Sequence, residues 1–177
     1  MSSLRISHMI LVSLLSFLAC KPEPANTTDE ELQESQEKLV EVNKILVKKD
    51  AEKITAFVDR RKWNMVETQT GLWHMIYVKG PGAEAQQGLV ATINYSISLL
   101  DGTKCYSSDD TGPRQFKIGQ GGVESGLEEG ILLMHEGDKA RFIMPPHLAH
   151  GLLGDNSKIP ARAIILYDVE LIKLEEK

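Results

Sequence analysis

Histidine, cysteine and serine are the residues in this chain that could support metal or nucleophilic chemistry. His147 and His150 have the spacing His-x-x-His, but no cysteine or carboxylate stands at the spacing a zinc site needs. Nothing in the sequence places an activating base beside Cys105 or Ser107. These residues therefore favour neither a metal centre nor a covalent intermediate, and we expect no cofactor.

Residues 123–151 combine a short helix, a strand and a constrained loop. Ser125 and Glu128 form a capping box, and Gly137 is a typical helix stop. Lys139–Met144 then alternates apolar and polar residues, which predicts a strand that ends at the two prolines after it. A helix too short to be stable alone, packed beside a strand and a loop, predicts the floor and wall of a pocket.

The composition is that of an ordinary globular protein. The 177 residues suffice for one domain and an appendage, with 42% hydrophobic and 25% charged residues. The net charge is −5, whereas a phosphate-binding surface needs clustered Lys and Arg. We therefore expect no nucleic-acid partner.

The N-terminus has the pattern of a secretory leader. Arg5 precedes an apolar run, residues 9–19, which is shorter than the about 20 residues needed to span a bilayer. Cys20 follows directly, as in a bacterial lipoprotein signal, so residues 1–19 predict a signal peptide and Cys20 the acylated residue. A plain secretory signal with an unrelated cysteine is the alternative. The first reading predicts a lipid-anchored protein of the cell envelope that faces the periplasm or cell surface.

A long helix is predicted after a tether at residues 20–28. Residues 29–61 contain no Pro or Gly, and apolar residues recur at helical spacing. Two lysines interrupt the apolar stripe just before Asp50, where we expect a break. This stalk, residues 29–67, is either a spacer or a helix for dimerisation or partner binding.

Residues 68–177 predict an α+β domain. Every second residue is apolar from 89 to 99, as in a strand with one buried face, and Asp101-Gly102 is typical of a hairpin. We expect an antiparallel sheet of about five strands wrapped on the short helix.

Short motifs occur in a fixed order along this domain. They are Tyr95, Asp101-Gly102, Ser107-Ser108, Phe116, Ile118-Gly119, Gly126-Leu-Glu-Glu-Gly130, Met134, Gly137-Asp138-Lys139, Ile143-Met-Pro-Pro146, Gly151, Ile159-Pro160 and Tyr167-Asp-Val-Glu-Leu171. The series resembles the FKBP-type peptidyl-prolyl cis-trans isomerases. The lipoprotein signal and helical stalk are similar in plan to gliding-motility-associated lipoprotein isomerases.

The resemblance implies a cup for a proline ring, formed by Tyr95, Val123, Leu127, Ile159 and Tyr167. It assigns catalytic roles to Tyr95, Leu127, His150, Ile159 and Tyr167. It assigns substrate contacts to Cys105, Tyr106, Phe116, Val123 and Glu124, with the Glu124 backbone N–H holding a ligand carbonyl. Taken without the resemblance, Tyr95, Val123 and Tyr167 could equally be core residues.

Four positions depart from the family pattern. Leu127 replaces a tryptophan, His150 a tyrosine, Cys105 a phenylalanine and Tyr106 an aspartate. Leu127 offers less area than an indole, and His150 donates a hydrogen bond only in a suitable tautomer. These departures put the catalytic rate in question more than the fold.

Two hypotheses remain open at this stage. The first is an isomerase for X–Pro bonds of proline-containing exported proteins, and motif integrity favours it. The second is a chaperone or binding module with weak catalysis, and the four departures favour it. A third reading makes the helix the functional element and the domain its scaffold.

Overall fold

The computed structural model describes residues 29–176. They belong to two compact units, one ending at Lys38 and one beginning at Leu39. The predicted signal peptide, Cys20 and the tether lie outside the described residues. Within the described range, no helix combines the length and apolarity needed to cross a membrane.

Helix α1 (Asp29–Arg61) matches the predicted bounds but not the predicted break. The helix is continuous through Asp50, which is 5% exposed and pairs with Arg162, Nη2 to Oδ2 2.7 Å. Lys53 Nζ also lies 3.7 Å from the Asp50 carboxylate. Asp50 therefore anchors the helix rather than ending it.

One antiparallel sheet follows, and its seven strands exceed the predicted count of about five. β1 has only two residues, which are too few for any alternation in the sequence to indicate a strand. The strands are β1 (Val66–Glu67), β2 (Trp73–Val78), β3 (Val90–Leu99), β4 (Lys104–Ser107), β5 (Arg114–Lys117), β6 (Lys139–Met144) and β7 (Ile165–Glu175). Their order is β1-β2-β6-β7-β3-β4, and β5 also pairs with β3. The short helices are α2 (Ser108–Thr111) and α3 (Ser125–Ile131), and a 3-10 turn spans Pro146–Leu148.

The two faces of β6 contact different hydrophobic clusters. Phe142 and Met144 belong to the main core, together with α3 and the inner residues of β3 and β7. Ile143 points the other way and packs with Ile54 and Phe57 of α1. The second half of α1 therefore covers the sheet face opposite α3, which makes β6 a strand that is buried on both sides.

Helix α3 lies unusually close to β6. A Cβ on Gly126 would stand 2.9 Å from the Met144 side chain, and one on Gly130 would stand 2.7 Å from the Phe142 ring. The predicted capping box is absent, because Glu124 is the N-cap without a side-chain bond and the Ser125 hydroxyl donates to the Leu148 carbonyl at 3.4 Å. The helix also ends at Ile131, six residues before Gly137.

Candidate functional site

Three elements and one loop bring the cup residues together. Tyr95 comes from β3, Leu127 from α3 and Tyr167 from β7, while Ile159 comes from the loop before β7. Leu127, Ile159 and Tyr167 belong to the main core cluster, and the partly buried Tyr95 packs against it. The Tyr95 and Tyr167 rings lie 6.2 Å apart between centroids and are tilted by 40°. The arrangement brings two aromatic rings and two aliphatic side chains into one apolar region.

Four further sequence-predicted residues pack into or against the same cluster. They are Cys105 (2% exposed), Tyr106, Phe116 (8% exposed) and Val123. The Cys105 Sγ lies 3.6 Å from the Lys158 carbonyl oxygen, next to Ile159. Burial raises the pKa of the Cys105 thiol, and the nearby Asp155 adds to the effect, so the thiol form is favoured. These contacts suit a lining residue and not a nucleophile.

Glu124 and His150 give this site a polar side. Glu124 Oε1 lies 3.1 Å from His150 Nε2, but the two are not aligned as a hydrogen bond. The other carboxylate oxygen lies 3.4 Å from Arg114 Nη1, and Arg114 also donates to the Gly122 carbonyl at 3.0 Å. The Glu124 side chain is only 8% exposed. The sequence did not single out Arg114, because its role depends on a loop that brings it back to Glu124.

The Tyr167 hydroxyl completes this group, which we call the Glu124 cluster: Arg114, Glu124, His150 and Tyr167. The hydroxyl is buried and lies near the Glu124 carboxylate, but the two do not have the geometry of a hydrogen bond. Burial, and next the negative charge of Glu124, raise the pKa of Tyr167. The phenol therefore stays protonated and is a donor without an acceptor.

Asp155 fixes the loop that carries Ile159. It accepts hydrogen bonds from the Tyr106 hydroxyl and from the backbone N–H of Ser157 and Ile159. Burial acts to raise the pKa of Asp155, but these hydrogen bonds lower it to about 2. Tyr106, one of the four residues that depart from the family pattern, thus helps to fix this loop through its hydrogen bond to Asp155. Asp155 was missed, although an Asp bonded to the N–H two residues later is a common turn signal.

His147 and His150 take different partners. His147 Nε2 lies 2.9 Å from the Thr70 carbonyl oxygen, whereas His150 faces Glu124. The spacing that suggested a metal pair thus serves two separate contacts.

Known proteins resemble this chain in sequence and in fold. The family model of the FKBP-type peptidyl-prolyl cis-trans isomerases matches residues 82–172. The chain is 36% identical over 164 residues to the FKBP-type peptidyl-prolyl cis-trans isomerase FkpA of Aeromonas hydrophila, which covers 86% of this chain and 60% of that protein. It is 46% identical over 81 residues to FK506-binding protein 2 of Dictyostelium discoideum, covering 45% of this chain and 61% of that one. The chain thus spans about three fifths of these relatives' length.

Two solved structures share the fold. The crystal structure of AtFKBP13 has a TM-score of 0.60 at 32% identity and covers 62% of this chain and 98% of its own. The crystal structure of FkpA from Escherichia coli has a TM-score of 0.59 at 23% identity, covers 84% of this chain and 74% of its own, and shows the fold alone.

Proposed function

Because the chain belongs to the family of FKBP-type peptidyl-prolyl cis-trans isomerases, we propose that it isomerises X–Pro bonds in proline-containing polypeptides. The observation that carries the proposal is the meeting of Tyr95, Leu127, Ile159 and Tyr167 in one cluster, within the residues that match the family. The proline ring packs in this cup and the rest of the client lies outside it.

The reaction needs only binding and orientation. Rotation about an X–Pro bond crosses a barrier of ~18–20 kcal/mol, because the planar amide is stabilised by resonance. The twisted state loses this resonance and carries less charge separation, so a dry apolar cup disfavours the planar amide relative to the twisted one. Each tenfold acceleration requires about 1.4 kcal/mol of such discrimination. Neither a metal nor a cofactor takes part.

Each proposed residue has a distinct task. Tyr95, Leu127, Ile159 and Tyr167 contact the ring, and the Glu124 backbone N–H holds the carbonyl of the client. His150 stands beside the cup as a further donor, in place of the hydroxyl that the family has there. Cys105, Tyr106, Phe116 and Val123 complete the lining.

The test is isomerisation of a short X–Pro peptide by the purified full chain. We expect acceleration, and we expect Tyr167→Ala to abolish it. Tyr77→Ala is the matched control, because Tyr77 is 40% exposed on β2 and bonds Asp168 on the outside of the sheet. Tyr95→Ala, at the edge of the core, should also lower the rate and serves if Tyr167→Ala does not fold. A folded wild-type chain without acceleration would overturn the proposal.

A catalytically weak chaperone or binding module is the second candidate. The observation that favours it is the buried carboxylate of Glu124 beside the cup, together with Leu127 as the floor. This candidate expects the peptide to bind to the folded chain without acceleration, and calorimetry together with the rate assay separates the two.

We further propose that the mature protein is lipid-anchored through Cys20 in a bacterial cell envelope. The leader pattern supports this, and exported proline-containing proteins would then be the clients. Cys20→Ser should move the protein from the membrane fraction to the soluble fraction. An unchanged distribution would contradict the anchor.

We also propose that the exposed face of α1 mediates dimerisation. Leu39, Val42 and Ile45 follow one another at three-residue spacing on this face and are 65%, 50% and 47% exposed, which is a high apolar content for a solvated helix. Leu39→Glu combined with Ile45→Glu should halve the mass found by sedimentation, whereas a wild-type monomer would exclude this role.

A further inference from the structure

The cup is closed in this structure. Leu127 and Tyr167 are 0% exposed and Ile159 is 2% exposed, although these residues are proposed to touch the client. A proline ring cannot reach them unless another side chain moves. The Glu124 cluster, which contains Tyr167 itself, brings polar side chains to this place.

Glu124 is the member of the cluster that lies next to each of the other three. Its carboxylate is close enough to the Tyr167 hydroxyl to raise the pKa of that phenol. It also lies between His150 Nε2 at 3.1 Å and Arg114 Nη1 at 3.4 Å. Glu124 is the N-cap of α3, so its backbone position is set by the helix, while its side chain makes no capping hydrogen bond to the helix.

The hold on this carboxylate is weak for a buried charge. A buried carboxylate is stable only when its oxygens receive well-aligned hydrogen bonds. Here His150 is misaligned and the Tyr167 hydroxyl makes no hydrogen bond with any described residue. The Arg114 contact is long for a charge-assisted hydrogen bond, which is normally 2.7–2.9 Å. Rotating Glu124 outward would hydrate its charge and break only these poor contacts.

We propose that the Glu124 side chain is an intramolecular competitor that occupies the cup and swings out before a proline can enter. The proposal rests on the proposed function for the identity of the client. When Glu124 leaves, the Tyr167 hydroxyl, His150 and Arg114 become free donors for the carbonyl oxygens of the client peptide. His150 Nε2 and the Tyr167 hydroxyl, which have no hydrogen-bond partner among the described residues, are therefore donors that the open state can use.

Competition of this kind affects affinity and not the chemical step. If the open form is about one tenth of the molecules, the apparent dissociation constant is about tenfold higher than that of the open form. Removing the competitor should lower KM for the peptide about tenfold and leave kcat unchanged, because isomerisation takes place only after opening. A merely structural role for Glu124 would not produce this split.

The kinetic test compares Glu124 with Glu170, a second carboxylate that pairs with a cation. Glu124→Ala should lower KM for a short X–Pro peptide about tenfold, and Glu124→Gln should give a smaller decrease, since it keeps the bulk but loses the charge held by Arg114. Glu170→Ala is the control. Glu170 also pairs with a cation, Lys139 Nζ at 3.2 Å, but it lies three residues after Tyr167 on β7 and so points to the opposite face of the strand. An unchanged or raised KM in Glu124→Ala would overturn the proposal.

A labelling test measures opening without any activity. Leu127→Cys is introduced into the full chain together with Cys20→Ser and Cys105→Ala, and its reaction with a small maleimide is followed. Adding Glu124→Ala should accelerate labelling about tenfold. Ile159→Cys is a second reporter in the cup if the first does not fold. Ile131→Cys, also 0% exposed but at the far end of α3, should not respond.

The two tests separate the failure of each idea. Faster labelling in the cup without peptide isomerisation would keep the closure and reject the proposed function. If the wild type isomerises the peptide but the reporters label equally fast with and without Glu124→Ala, the proposed function stands and the closure of the cup by Glu124 is rejected. Faster labelling at all three reporters would indicate general loosening of the core and would also reject the closure.

Discussion

Two buried carboxylates in this protein are alike in exposure and unlike in bonding. The Asp50 side chain is 7% exposed and that of Glu124 is 8% exposed. Asp50 accepts a hydrogen bond from Arg162 at 2.7 Å, while Glu124 has an arginine at 3.4 Å and a misaligned histidine. The buried carboxylate on α1 therefore has a strong hydrogen-bond partner, whereas the buried carboxylate beside the cup does not.

This difference is the one expected between a structural contact and a site that exchanges its contacts for those of a ligand. A satisfied ion pair gains nothing from rearrangement, and together with Ile54 and Phe57 it holds α1 in one place. Poorly satisfied polar groups have a free-energy reason to exchange their partners for those of a client. Such mismatches are expected at functional sites, where local rules give way to binding.

The largest expected effect tests the contrast directly. Asp50→Asn should lower the free energy of unfolding by about 1.5–3 kcal/mol, because it removes a charged hydrogen bond from a buried site. Glu124→Gln should change it by less than about 1 kcal/mol, since little alignment is lost. Urea unfolding of both variants measures the two values. If both variants lose the same free energy of unfolding, the better hydrogen bonding of Asp50 does not contribute more to stability than the contacts of Glu124.

A smaller effect is expected at the orphan phenol. Tyr167→Phe should raise the free energy of unfolding by about 1 kcal/mol, because it removes a buried donor without an acceptor and keeps the ring. Tyr95→Phe is the matched control, since the Tyr95 hydroxyl lies 3.1 Å from that of Thr111 and its loss should destabilise slightly. A destabilised Tyr167→Phe would mean that its hydroxyl is satisfied in solution.

The smallest effect extends the contrast to a third carboxylate, Asp155. Its pKa in the folded state is about 2, against an ordinary value of 3.8. Because the folded-state pKa is lowered, the stabilisation is complete above about pH 4 and is lost as the pH falls from 4 to 2. The stability gap between wild type and Asp155→Asn should close over this window in urea unfolding. A gap that stays constant would assign the effect to shape and not to charge.

Several elements were predictable because their signals are local. The alternation of residues 89–99 predicted β3 and its inner face, and the chain free of Pro and Gly predicted α1. The errors arose where a neighbour distant in sequence decided the outcome. Ser125 bonds Leu148 instead of capping α3, and the expected break at Asp50 is an anchor because Arg162 lies beside it.

The site shows the same division. Residue types and motif order alone predicted an α+β fold of the FKBP type and the cup residues Tyr95, Leu127, Ile159 and Tyr167, which stay a prediction as to role. The tertiary structure alone decided that Arg114 and His150 flank Glu124 and that Leu127, Ile159 and Tyr167 are buried in one core. The physical reason is range: periodicity and turn chemistry act over a few residues, whereas the environment of a buried charge depends on strand pairing and loop packing between distant segments.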